Sequence, residues 1–232
     1  LITIQDMSSY EAKYRKPLET SYRGYKIVTM GPAASGGLVL LQTLNIMENF
    51  DLKESGHNSA DTIHILSEAM QRAFADRAKY HGDPDFYDVP VSEMLNKEYS
   101  KERALTIGNK RSKDGEIYPG DLKKYDESPD TTHYSIIDSY GNAVSNTYTL
   151  GSSFGSGVTI SKGGFLMNNQ MRNFSHFYGT EEMTFGSSEA NKLEPGKRMI
   201  STQTPTLVFD EDDNLMMILG SPGGGRIPNI IT

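Results

Sequence analysis

The sequence predicts an α+β fold, with helices on one side and paired strands on the other. Two observations carry this. Apolar residues recur at helical spacing between residues 37 and 77, and from Thr131 the period changes to two. Helical and antiparallel segments segregated in this way pack as a layered sandwich.

The elements follow in order. A short helix is expected over residues 9–14. Residues 25–30 are strand-like, and Gly31-Pro32 breaks them. After Gly36-Gly37, the residues Leu38, Leu41, Leu44 and Ile46 form a helical apolar stripe across 37–49. Ser59 is placed to cap a second helix whose face is Ile63, Leu66, Met70, Ala73, Phe74 and Arg77; Gly82-Asp83-Pro84 stops it. His64, on that helix, is read as structural. Residues 108–130 contain Lys110, Arg111, Lys113, Gly115, Pro119, Gly120 and Pro129, and read as an exposed linker. Runs at 131–137 and 143–149 flank Tyr140-Gly141-Asn142 and read as a hairpin. Further strands are expected at 164–168, 204–209 and 215–219. The acidic run 210–214 reads as a solvated turn, because Leu215 and Ser221 stand where a calcium loop needs Gly and an acid.

Composition narrows the function. A chain of 232 residues is one large domain or part of one. With 23 Lys+Arg against 30 Asp+Glu the net charge is -7, which disfavours a nucleic-acid surface. Zero Cys excludes disulfide scaffolds, Cys-ligated zinc and thiol catalysis. No apolar run is long enough to span a membrane. The chain opens LITIQDM, with neither an initiator Met nor a signal peptide, and stops just after Pro228, where a helix would begin. A segment of a longer chain is therefore expected.

Chemistry is sparse by motif. The five His residues show no metal-ligand spacing, and no G-x-S-x-G elbow is present. The stretch Gly220 to Arg226 lacks the end of a phosphate loop. On spacing alone it is either a plain strand-to-helix turn or a set of backbone N–H donors for an anion. Thr131-Thr132 stands at the junction of linker and hairpin. A Thr hydroxyl needs a base to act as nucleophile, and a free α-amino group on the same residue supplies one after a chain cut. Its reference pKa of about 7.7–8.0 suits a base at neutral pH. On pattern alone, a Thr-Thr pair opening a strand is first of all ordinary β-propensity.

Several stretches, in order, resemble one family. They are ITIQDMSSYEAKYRKPL, YRGYKIVTMGPAASGG, LNIMENFDL, AFADRAKYHGDPDF, TTHYSIIDSYGNAVSNTYTLGSSFGSGV, GFLMNNQMRNFS, PGKRMISTQTPTLV and GSPGGGRI. Together they are similar to the γ-glutamyltranspeptidases, over essentially the whole sequence. The resemblance implies an N-terminal-nucleophile hydrolase fold, an αββα sandwich, present here in part. Residues 1–130 would end the large-subunit region and residues 131–232 would begin the small-subunit region.

It also implies roles. The precursor would cut itself between Asp130 and Thr131, and Thr131 would become the nucleophile with its own amine as base. Thr149 would hydrogen-bond it, and Gly223-Gly224 would form the oxyanion hole. Ser201 and Thr202 would hold the donor's α-carboxylate, with an Arg from outside this sequence. Gln170 would face the α-ammonium. Two positions depart from the family pattern: Asn173 stands where an acid is usual, and Gly151 where Asn or a similar polar side chain is frequent. A neutral hydrogen bond is roughly half as strong as a charge-assisted one. Donors with an acylated amine, such as poly-γ-glutamate, or with none, such as a glutaryl group, therefore enter as alternatives. An unprocessed, non-catalytic relative is the third reading. Asn173 packing on Gln170 with no substrate role is also open. The resemblance implies no cofactor and no metal. It implies a small-molecule γ-glutamyl donor with water or an amino acid or peptide as acceptor, association of the two subunits of one precursor, and a periplasmic or extracellular setting.

Overall fold

The computed structural model describes residues 2–113, 116–117, 131–175 and 188–232. Its first half contains α1 (Ile4–Ser9), β1 (Leu18–Tyr22), β2 (Tyr25–Thr29), α2 (Gly36–Met47), α3 (Leu52–Ser55), α4 (Ala60–Tyr80), α5 (Val91–Met94) and α6 (Lys97–Leu105). Its second half contains β3 (Thr132–Ile137), β4 (Ala143–Tyr148), β5 (Thr159–Ile160), β6 (Phe165–Leu166), β7 (Thr206–Phe209), β8 (Leu215–Leu219) and the short α7 (Ile227–Ile231). The fold is α+β.

The main sheet is antiparallel, in the order β1-β2-β7-β8. It draws two strands from each half of the chain, so both halves share one core. Ile27 and Val208 from the sheet meet Leu40, Leu41 and Leu44 of α2, with Leu18, Tyr22 and Leu219 around them. The expected hairpin is β3–β4, with Thr132 opposite Tyr148 and Ile137 opposite Ala143. The strands expected at 164–168, 204–209 and 215–219 correspond to β6, β7 and β8. β1 was not anticipated; it pairs with β2 across a turn in which Arg23 and Gly24 both have positive φ.

Three expectations change. The first helix spans Ile4–Ser9, not 9–14: Thr3 caps it, its hydroxyl accepting from Asp6 N while Asp6 accepts from Thr3 N. That reciprocal pair fixes the first turn. The helix after Gly36-Gly37 has no polar face, because all twelve residues of α2 are buried. It lies between the sheet and α4 and α6, and a helix covered all round needs no stripe. Its polar residues are paired instead: Asn45 Oδ1 accepts from Thr20 and Lys97, and Gln42 donates to Asp76.

The face of α4 is the third. Ser59 does cap it, accepting from Thr62 N at 3.1 Å. Ala73 and Arg77 are buried as expected, but the rest of the buried side is Glu68, Ala69, Arg72, Ala75 and Asp76, and Ile63 is 55% exposed. Burying charges requires partners. Arg72 donates to Glu68 at 2.7 Å and to Thr106, and Asp76 accepts from Tyr99 at 2.8 Å with Arg103 at 3.3 Å. Burial pushes the Asp76 carboxyl up, against the opposing pull of Arg103.

Ser112 donates from both its backbone N and its hydroxyl to Glu68, so the start of the expected linker is tied to α4. Residues 114–115 and 118–130 lie outside the described residues. The acidic turn is closed by Asp210, whose carboxylate accepts from Asp212 N and Asn214 N. Among the described residues no helix is long and apolar enough to cross a membrane.

Candidate active site

One cleft gathers most of the singled-out residues. Thr131, Thr149, Gly151, Gln170, Asn173, Ser201, Thr202 and Gly224 line it, together with Arg172, Gln203 and Ile227. Its free volume is small, about 30 Å³. Gly223 is the neighbour of a lining residue, with φ +134. Asp130 lies outside the described residues. His64, read as structural, contacts the Gly108 carbonyl at 2.7 Å and takes no part.

The hairpin brings the two threonines to one end. Thr131 precedes β3 and Thr149 follows β4, so they extend the register that pairs Thr132 with Tyr148. Thr149 Oγ1 accepts from Gly151 N at 2.9 Å, which turns the chain back over the cleft. Gly151 has φ +93, a region side chains rarely adopt. A Cβ there would fall 2.1 Å from Asn169 Oδ1. The Asn169 amide thus occupies the space of the missing side chain, accepting from Ser152 N and donating to Ser152 Oγ, both at 2.9 Å.

A second segment enters from the sheet side. Ala34 and Ser201 form a parallel bridge, and the Ser201 carbonyl accepts from Ser35 N at 2.6 Å and from Ser35 Oγ at 2.7 Å. Arg77 Nε donates to Ser35 Oγ at 2.7 Å, so α4 braces the Ser201 segment through one hydroxyl. Ser201 Oγ accepts from Gln203 N at 3.3 Å. Thr202 is 5% exposed, and its hydroxyl donates to the Gly224 carbonyl at 2.8 Å. That bond ties the Ser201-Thr202 segment to the glycine loop. Asn173 Nδ2 donates to the Ile200 carbonyl at 3.3 Å, and the Asn173 carbonyl accepts from Asn191 at 2.7 Å.

Sequence reasoning missed Ser35, Arg77 and Asn169 as supports. Ser35 stands directly before Gly36-Gly37, a signal of a loop entering a helix. Nothing in the spacing pointed from Arg77 to residue 201, which lies on another segment.

A wider cleft of about 1000 Å³ adjoins the first and shares Gln170, Ser201 and Gln203 with it. Four cations line it, and carboxylates hold them: Arg15 with Asp85 at 2.7 Å, Lys197 with Glu194 at 2.8 Å, Arg198 with Asp85 at 3.8 Å and Lys13 with Glu11 at 3.7 Å. The Arg15 hydrogen bonds hold the Asp85 carboxyl below its ordinary range. No cluster of potential metal ligands occurs among the described residues.

The gamma-glutamyltranspeptidase family model matches residues 1–232. The glutathione hydrolase proenzyme of Escherichia coli (strain K12) is 46% identical over 98% of this chain and 39% of the relative. The glutathione hydrolase proenzyme of Pseudomonas aeruginosa is 44% identical, over 98% and 40%. The chain thus spans about two fifths of the length of these curated relatives. Among solved structures, the cephalosporin acylase from Bacillus halodurans aligns with a TM-score of 0.78 at 30% identity, over 98% of this chain and 38% of that one.

Proposed function

The chain belongs to the gamma-glutamyltranspeptidase family, and from that premise we propose that it carries the reacting centre of a γ-glutamyl hydrolase or transferase working through a Thr131 ester. One observation supports this above the others: a hairpin end bearing two hydroxyls, a glycine loop and a Ser-Thr segment line a single cleft.

The chemistry runs in two stages. In maturation, Thr131 Oγ attacks the Asp130 carbonyl, the peptide C–N bond breaks, and the acyl group moves from nitrogen to oxygen. Water then cleaves the ester, releasing the Asp130 carboxylate and a free Thr131 amine and hydroxyl. In turnover, that amine takes the hydroxyl proton as Oγ attacks the γ-carbonyl of the donor. Backbone N–H groups at Gly223-Gly224 stabilise the oxyanion, and side-chain-free residues allow their close approach. The leaving amine departs protonated, and water or an acceptor amine resolves the ester.

The remaining residues hold the donor. Ser201 is the hydroxyl nearest in role to a carboxylate donor, because the Thr202 proton already serves the Gly224 carbonyl. Thr202 then acts beside it mainly by fixing the loop. Gln170 and Asn173 take the amine side. Thr149 orients the Thr131 hydroxyl. The two subunits of one precursor stay together because β1 and β2 pair in the same sheet as β7 and β8.

A second reading is an amide hydrolase of the same scaffold with another acyl group. It is favoured by Asn173 in place of an acid and by the likeness to a cephalosporin acylase. Two measurements on the full-length protein decide. N-terminal sequencing should find a mature fragment beginning at Thr131; an active protein without that terminus overturns the nucleophile. Comparing γ-glutamyl with glutaryl anilides separates the two donors.

A further inference from the structure

Side chains two apart on a strand share a face. The face that bears Thr131 therefore also bears His133 and Ser135. The register places Thr147 opposite His133 and Ser145 opposite Ser135. From Thr131 to Ser135 this face of the hairpin is polar, with Ile137 and Ala143 at its far end, while the reverse face carries Tyr134, Ile136, Val144 and Tyr148.

The polar face lies on the end of β8, the strand that feeds the glycine loop. Ser145 Oγ donates to the Leu219 carbonyl at 2.8 Å and accepts from Thr206 N at 3.2 Å. Ser135 Oγ reaches the Ile218 carbonyl at 3.5 Å. The His133 ring is held within this seam, its Nδ1 2.8 Å from Thr147 Oγ1 and its Nε2 3.1 Å from Ser135 Oγ. Burial lowers the His133 pKa and so favours the neutral ring, which offers one donor and one acceptor to two hydroxyls that can each do either.

The ring meets Gly220, the first residue after β8. A Cβ on Gly220 would fall 1.9 Å from His133 Cε1, 2.1 Å from Nδ1 and 2.3 Å from Nε2. These distances are far inside van der Waals contact, so the imidazole occupies the volume that a side chain at 220 would need. Gly220 is three residues before Gly223, and His133 is two residues after Thr131.

We propose that His133 is a positioning residue: seated on Gly220 and held by Thr147 and Ser135, its ring sets the spacing between the nucleophile strand and the oxyanion loop. The inference rests on the reading of Thr131 as nucleophile and of Gly223-Gly224 as oxyanion donors. It assigns His133 no contact with substrate and no proton transfer. Its effect is geometric, because oxyanion donors must stand about 2.7–3.1 Å from the position the oxyanion takes.

The test uses the full-length enzyme, with maturation measured by intact mass before kinetics. Gly220→Ala drives the ring out of its seat. It should lower kcat by about 10- to 100-fold, the range expected of a displacement near 1 Å, with KM within about twofold. His133→Ala should also lower kcat. The double variant should fall no further than the worse single one, because removing the ring makes room for the new methyl group. His133→Gln keeps a donor and an acceptor for Thr147 and Ser135 and should retain more kcat than His133→Leu. Should Gly220→Ala fail to mature, the Gln and Leu variants supply the same comparison. Multiplicative losses in the double variant, a loss carried by KM, or His133→Leu equal to His133→Gln would each overturn the proposal. A mature enzyme that keeps its activity as Thr131→Ala would instead overturn the underlying reading, so the two failures are distinguishable.

Discussion

The two halves of the chain solve opposite problems. In the first, α2 is buried on every side, and even its polar residues point into paired interior contacts. In the second, the β3–β4 hairpin is half open: Ile136 is 54% exposed and Ile137 is 61% exposed. Around α2 the helical half is held mainly by apolar packing, where volume and area decide, with the paired charges of α4 beside it. The hairpin meets its neighbours through hydroxyls and one imidazole, where direction decides. A reacting centre needs direction more than bulk, and the structure places the candidate site where polar seams, not apolar contacts, set the spacing.

The first way to break this comparison is at Thr131. Thr131→Ala should abolish both chain cutting and turnover, by ~10³-fold or more, since no other hydroxyl carries its own amine base. Thr131→Ser should retain part of each, and Thr132→Ala should be mild. Mass spectrometry and an anilide assay read both effects. A dead Thr132→Ala beside an active Thr131→Ala would move the nucleophile by one residue.

The second tests the helical half by volume. Leu41 is fully buried, so Leu41→Ala should cost about 2–5 kcal/mol of stability. Ile63→Ala on exposed α4 surface should stay within about 0.5 kcal/mol. Denaturant titration of the two variants measures this. Similar losses at the two sites would show that burial does not decide stability in this half.

The third concerns direction at Asn173. If Asn173→Asp meets a donor α-ammonium, the charge-assisted bond is worth about 1–3 kcal/mol, or roughly 5- to 150-fold in kcat/KM. The gain should appear for free-amine donors and be absent for glutaryl donors. The lower end is expected, because Asn173 now donates to the Ile200 carbonyl, and a carboxylate would have to turn away from it. An unchanged ratio between the two donors would remove Asn173 from the ammonium side.

The last effect is a pH slope. His81 is 1% exposed, its ring nitrogens find no hydrogen-bond partner among the described residues, and burial beside Arg77 pushes its pKa down to about 3. Unfolded, it titrates near 6.5. Between those values the unfolded chain binds a proton that the folded chain does not, so stability is full above pH ~6.5 and falls as pH drops toward 3. The slope is at most about 1.4 kcal/mol per pH unit. His81→Leu should flatten that part of the acid limb; an unchanged slope would mean the ring is not buried neutral.

Local signals made several elements legible. Ser59 before a periodic run announced α4, and alternation around Tyr140-Gly141-Asn142 announced the hairpin, because caps and turns are decided by neighbours in sequence. The resemblance across ordered motifs named the candidate site residues, from Thr131 to Gly224. What sequence could not decide was anything set by contact between distant segments. Ala73 and Arg77 were read correctly on the buried face of α4, but Glu68 and Asp76 were missed because their partners Ser112 and Tyr99 lie far along the chain, which makes charged burial tolerable. The bracing of Ser201 by Ser35 and Arg77, the Asn169 amide filling the space beside Gly151, and the seat of His133 on Gly220 each join residues that no local spacing connects. Sequence by itself determined the α+β class, the hairpin and the start of α4, and its family resemblance named the candidate site residues. Only the tertiary structure decided how far apart those side chains stand, since that distance is set by packing and hydrogen bonds between segments that meet only when the chain is folded.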